Sequence, residues 1–238
     1  MNADYFSEKE LIKINRAEEL KEVSARYGIS YCLAGDEYYP KAMSGLKGMP
    51  PLLFYKGNIE IVNQYKNIAV IGSRKFSQVG KELSYEAGRA VAGEGINLVN
   101  GLALGCDAEA IKGALKEGGR CIAVMPCGLE RIQPRSNQRL AEEILENGGC
   151  LLSEYPVGTQ AEKYRYVERD RLQSAVSHCV LIIEAQRTSG TMHTAEFAVR
   201  QQKRLACYYY KLLETASGNQ YLEEAQKAQI LKNKEDLL

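Results

Sequence analysis

Short, unbroken apolar runs alternate with helix-length segments through most of the chain. The runs are Ile68–Ile71, Ile96–Val99, Cys121–Met125, Cys150–Leu152, Val180–Ile183 and Leu205–Tyr208, at spacings of 25–30 residues. Strands that do not alternate apolar with polar are buried on both faces, and helices between them supply the covers. The pattern therefore predicts successive βα units in a parallel sheet, wound by right-handed crossovers into a Rossmann-like, doubly wound α/β layer. Before the first run, Ser7-Glu8-Lys9-Glu10 reads as a capping box opening a helix over about 7–27. A short strand (Ile29–Leu33), a Tyr39-Pro40 turn, a short helix and a second extended piece (Leu52–Tyr55) follow. After the last run, Gly218–Leu238 reads as a polar helix carrying Leu222, Ala225, Ala228, Ile230 and Leu231. The expected organisation is a small helical and extended N-terminal region at 1–63, a core at 64–212 and a helical tail at 213–238.

Composition changes this picture little. With 238 residues, 45% hydrophobic and 26% charged, the chain is of ordinary globular make-up. Its 31 Lys+Arg against 30 Asp+Glu give a net charge of +1, so any binding of phosphate must come from local clustering and not from a global field. No apolar run reaches the roughly 18 residues that span a bilayer, and MNADYFSEKE is too polar for a secretory signal, so a cytoplasmic protein is expected. Seven cysteines form no CxxC pair and sit mostly in apolar runs, as buried reduced thiols do.

Ligands of open parallel sheets bind beyond the carboxyl ends of the strands, which directs attention to the residues after each run. After the first come Gly72-Ser73-Arg74, then Ser77 and Gly80 opening a helix. A small residue, an arginine and helix N–H groups in that order read as an anion site. The second run leads into Asn100-Gly101-Leu102-Ala103-Leu104-Gly105-Cys106-Asp107, with Asp107 as a helix cap. The second glycine of G-x-G-x-x-G is missing and Asn100 stands where a ribose-binding acid would, which excludes a dinucleotide fingerprint; no Walker A loop is present either. The third run is followed by Arg131 and Arg135, with Ser136 or Asn137 capping the next helix. The fifth is followed by Ser189-Gly190-Thr191, a second phosphate-friendly turn. Between the fourth and fifth, Tyr164-Arg165-Tyr166-Val167-Glu168-Arg169-Asp170-Arg171 interleaves cations with rings, the combination that holds single-stranded nucleic acid. Tyrosine supplies 15 of the 19 aromatics, so any stacking platform is a tyrosine. No metal cluster, nucleophile elbow or acid pair is recognisable, and no cofactor is expected. Glu154 and Glu184 end strands, where they are read as holding arginines; His178 reads as structural and His193 as a ligand-contact candidate.

Taken in order, Ile68–Arg74, Asn100–Asp107, Gly128-Leu129 with Pro134 and Asn137, Ser153–Thr159, Arg169-Asp170-Arg171, and Glu184-Ala185 with Ser189-Gly190-Thr191 resemble the DNA-processing protein A (DprA, or Smf) family, over about residues 30–210. The resemblance implies a non-catalytic protein that binds single-stranded DNA without sequence preference. It would protect incoming strands in natural transformation and load RecA on them, as a homodimer. It carries DNA contacts to Arg74, Arg169 and Arg171, further phosphate contacts to Gly72, Ser73, Ser189, Gly190 and Thr191, and stacking to Tyr166, which stands where the family usually has phenylalanine. Glu168 and Asp170 make the motif less basic than is usual in the family, Val167 stands where the family usually has proline, and Ile111 stands where a histidine is usual. With no winged-helix segment after Tyr210, a minimal or divergent member is implied. The alternative on the same fold is a nucleotide sensor or a phosphoribohydrolase of the lonely-guy type, with Glu196 as the carboxylate beside the Ser189–Thr191 turn.

Overall fold

A computed structural model describes residues 8–210, 214–232 and 236; Ser7 of the capping box lies outside the described residues. The six apolar runs form six parallel strands, β3 (Asn67–Ile71), β4 (Asn97–Asn100), β5 (Cys121–Val124), β6 (Cys150–Ser153), β7 (Cys179–Ile182) and β8 (Arg204–Tyr208). They lie in one nine-stranded sheet, within which their own order is β6-β5-β4-β3-β7-β8. Strands β4, β5 and β6 step outward on one side of β3, while β7 crosses back to pair with its other side, Ala69 opposite Val180. The β3/β7 seam is thus the point where strand order reverses, the place where open α/β sheets hold ligands.

Both faces are covered. Val70, Leu98 and Leu181 pack under α3 (Gln78–Gly93), α4 (Cys106–Lys116) and α5 (Gln138–Glu146). Their strand neighbours Ala69, Ile71, Val99 and Val180 pack under α6 (Lys163–Val176), α7 (Thr191–Arg200) and α8 (Ser217–Glu224). Alternation across the strands, apolar on both sides, is what two covered faces require.

The ends of the sheet differ from the reading of the sequence. Helix α1 (Glu8–Arg26) leads to β1 (Ser30–Leu33) and β2 (Leu52–Gly57), which add to the edge antiparallel, Phe54 opposite Ser153. The expected short helix before Pro50 is a single 3-10 turn, Lys41–Met43, and α2 (Ile61–Gln64) precedes β3. At the other edge, among the described residues, the helix expected over 218–238 is confined to α8, and 233–235 and 237–238 lie outside the described residues. Helix α8 is followed by β9 (Gln229–Leu231), which pairs parallel with β8, Ile230 opposite Cys207. Ile230 and Leu231 therefore extend the sheet. Asn219 of α8 makes that docking firm: it is buried, donates to the Ile183 and Tyr208 carbonyls at 3.0 Å each, and accepts from the Ala185 N–H at 2.9 Å.

Candidate functional site

A cavity of about 580 Å³ opens at the β3/β7 seam, between the turn after β3, the turn after β7 and the first half of α6. Gly72, Ser73, Arg74, Tyr166, Arg169, Ser189, Gly190 and Thr191 all line it, although they are spread over 120 positions of the chain. Lys75, Lys163, Asp107, Asp170 and His193 join them.

Arg169 is the centre of the site. It is 4% exposed, and its Nε and Nη1 make no hydrogen bond. A buried guanidinium without acceptors is costly unless a ligand supplies them. Space for it exists because residue 101 is glycine: a Cβ there would collide with the guanidinium. Arg74, exposed at the mouth, and Arg169 flank the Tyr166 ring, with guanidinium carbons 5.4 and 5.9 Å from its centroid, within cation–π range. Two cations and a ring thus converge on one opening.

Two buried carboxyls share the wall with Arg169. Asp170 Oδ1 lies 3.4 Å from Arg169 Nε and accepts from Gln173 Nε2 at 2.8 Å. Burial lifts its carboxyl from 3.8 to about 6; Arg169, His193 and Arg74 oppose the rise and Asp107 adds to it. Asp107 is not the cap of α4, a place taken by Gly105. Its Oδ2 instead accepts the N–H groups of Gly101 (3.0 Å) and Ala103 (3.3 Å), tying down the loop after β4. Burial pushes its carboxyl up as well, against Arg169 and those amides.

Several expectations are corrected in detail. The N-terminus of α3 is not an open anion site, because the fully buried Glu184 carboxylate already occupies it. Ser77 donates to Glu184 from its hydroxyl (2.6 Å) and its N–H (3.0 Å) and caps α3 through the Gly80 N–H. Glu184 therefore holds a serine and not an arginine. Glu154 does hold one, Arg171, with Oε2 2.5 Å from Nη2. That pair takes Arg171 away from the cavity, which it does not line. Residues two apart on a helix point about 200° apart, so Arg169 and Arg171 cannot share a face. Gly72 lacks a side chain because Cys106 packs there, Sγ 2.6 Å from where a Cβ would stand. Ser73 Oγ accepts the Lys75 N–H at 3.1 Å and shapes the turn that carries Arg74. Asn137 precedes α5 without capping it and donates to the carbonyls of Leu102 and Ala103. His178 is structural, its Nδ1 accepting from the Asn67 N–H at 3.1 Å. Arg131, Arg135 and Glu196 do not line the cavity; Glu196 is exposed beside Arg200. Ser189 Oγ is buried without a partner, so the turn before α7 keeps a free hydroxyl at the site.

The model of the family DNA recombination-mediator protein A matches residues 30–238. The chain belongs to that family. Protein Smf of Escherichia coli (strain K12) is 36% identical over 172 residues, covering 72% of this chain and 46% of Smf, so the chain spans about half of that relative. The DNA processing protein A of Streptococcus pneumoniae superposes with a TM-score of 0.80 at 30% identity, over 88% of this chain and 73% of the other. That of Helicobacter pylori, whose structure concerns its single-stranded DNA binding mode, also gives 0.80, at 31% identity over 87% of this chain and 93% of the other. The sheet and its helices are thus those of a known Rossmann-like architecture.

Proposed function

We propose that this chain binds single-stranded DNA, as the H. pylori relative does, and that it does so without sequence preference. A backbone phosphate meets Arg169 and Arg74 and a base stacks on Tyr166. The observation that carries this reading is the buried Arg169 guanidinium, short of acceptors on the wall of an open cavity beside a tyrosine ring. Phosphate satisfies a guanidinium in a fixed fork geometry, and a ring accepts any base. The role is binding and not catalysis: the two strand-end carboxylates, Glu154 and Glu184, are committed to Arg171 and Ser77. In the cell, the protein shields strands in natural transformation and passes them to RecA, acting as a cytoplasmic homodimer. Among the described residues no helix is long and apolar enough to cross a membrane.

Fluorescence anisotropy with labelled oligo(dT) and a duplex of equal length, at about 50 mM salt, tests the reading. The single strand binds more tightly than the duplex. Arg74→Ala and Arg169→Ala each weaken it at least roughly tenfold, and Tyr166→Ala weakens it by the roughly 1–3 kcal/mol of one stacked base. Absence of binding, or an unchanged affinity in the exposed Arg74→Ala variant, overturns it.

A further inference from the structure

Asp170 stands beside the binding cation without satisfying it. Its Oδ1 is 3.4 Å from Arg169 Nε, yet that nitrogen makes no hydrogen bond. The carboxylate is 7% exposed, is held in place by Gln173, and forms part of the cavity wall. Its contribution at the site is therefore a fixed negative charge next to the guanidinium. The charged and titratable groups around it are Arg169, Asp107, His193 and Arg74. On the buried side, two carboxyls accompany one cation, while Arg74, Lys75 and Lys163 stand exposed toward the mouth.

We propose that Asp170 makes this cavity select the singly charged phosphodiester of a strand interior over the doubly charged phosphomonoester of a strand end or free nucleotide. The inference rests on the reading that the cavity binds nucleic-acid phosphate. Desolvating an ion costs energy in proportion to the square of its charge, whereas the field of the site returns energy only in proportion to the charge itself. A site whose inner cation is offset by a neighbouring carboxylate repays a monoanion and fails to repay a dianion. The same linearity gives a quantitative signature. Removing the Asp170 charge raises the affinity for a dianion by the square of the factor it raises it for a monoanion.

The probes are thymidine 5′-monophosphate and its methyl phosphodiester, which share base and sugar and differ by one charge, each competing with labelled oligo(dT) near pH 8. The wild-type protein prefers the methyl diester. Asp170→Asn, which keeps the oxygen that Gln173 binds, tightens the diester about tenfold and the monophosphate about a hundredfold. Glu146→Gln, at an exposed position far along α5, removes the same charge and changes neither. On the wild type alone, lowering the pH through about 6 tightens the methyl diester as Asp170 takes up its proton. The diester keeps one charge throughout, and the gain exceeds that of Asp170→Asn, which lacks the carboxyl that takes up the proton. An equal gain for both probes, or a wild-type preference for the monophosphate, overturns the inference while leaving strand binding intact. A wild-type protein that fails to bind oligo(dT) overturns the function reading itself, and this inference with it.

Discussion

A residue such as Asp170 shows how a site can cost the fold something. Its carboxyl titrates near 6 in the folded chain and near 3.8 when free, so between those values the folded state holds more protons than the unfolded one. Stability therefore falls as pH rises through that window, and the full cost is present above it. At about 1.36 kcal/mol per pKa unit, Asp170→Asn is expected to stabilise the protein by up to about 3 kcal/mol near pH 8 and by nothing near pH 3.5. Urea unfolding of both proteins at the two pH values measures this, and a gain that is the same at both would show that the charge is not the cause. Little of this was legible in the sequence. Arg74, Tyr166, Arg169 and the Ser189–Thr191 turn could be found because they follow strands or interleave cations with rings. Arg171 lies outside the cavity for a reason also present in the sequence, since two residues of helix turn a side chain to the opposite side. The roles of Glu184 as an internal cap and Gly101 as room for a guanidinium depend on pairs 107 and 68 positions apart, which no local pattern encodes.

At the level of elements, strand placement followed the apolar runs to within about a residue because a doubly covered parallel strand has little freedom to be anything else. The last strand escaped because Gln229–Leu231 is three residues long, sits between Ala228 and Lys232, and is a strand only through its neighbour β8. Its anchor is one side chain. Asn219 closes three hydrogen bonds to the ends of β7 and β8 from inside the core, so Asn219→Ala removes all three at once. The expected cost is roughly 2–4 kcal/mol, concentrated at that edge. Amide exchange should then rise first over 217–231 and at Tyr209, whose N–H donates to Leu231, while the β3/β7 pairing keeps its protection. A uniform rise across the sheet would mean that β9 and α8 are part of the global folding unit and not an edge held by Asn219.

For the molecule as a whole, a net charge of +1 leaves no long-range field to gather DNA, and many surface cations are already matched, as in Arg89 with Glu117 and Arg139 with Glu143. Recognition is confined to the cavity, which is lined by four cations, Arg74, Lys75, Lys163 and Arg169. Each phosphate neutralised on a single strand contributes about −0.7 to the slope of log K against log salt, so four cations set a limit of about −3 for a strand that reaches one cavity. Asp107 and Asp170 pull the value below that limit. If two copies act together, a strand long enough to engage both cavities doubles the slope, whereas a strand of about six nucleotides cannot. Titrating a short and a long oligo(dT) between about 50 and 300 mM salt separates the two contributions. A slope steeper than about −5 for the short strand would place DNA contacts well beyond the cavity, on surface that the charge balance of this chain argues is not built for them.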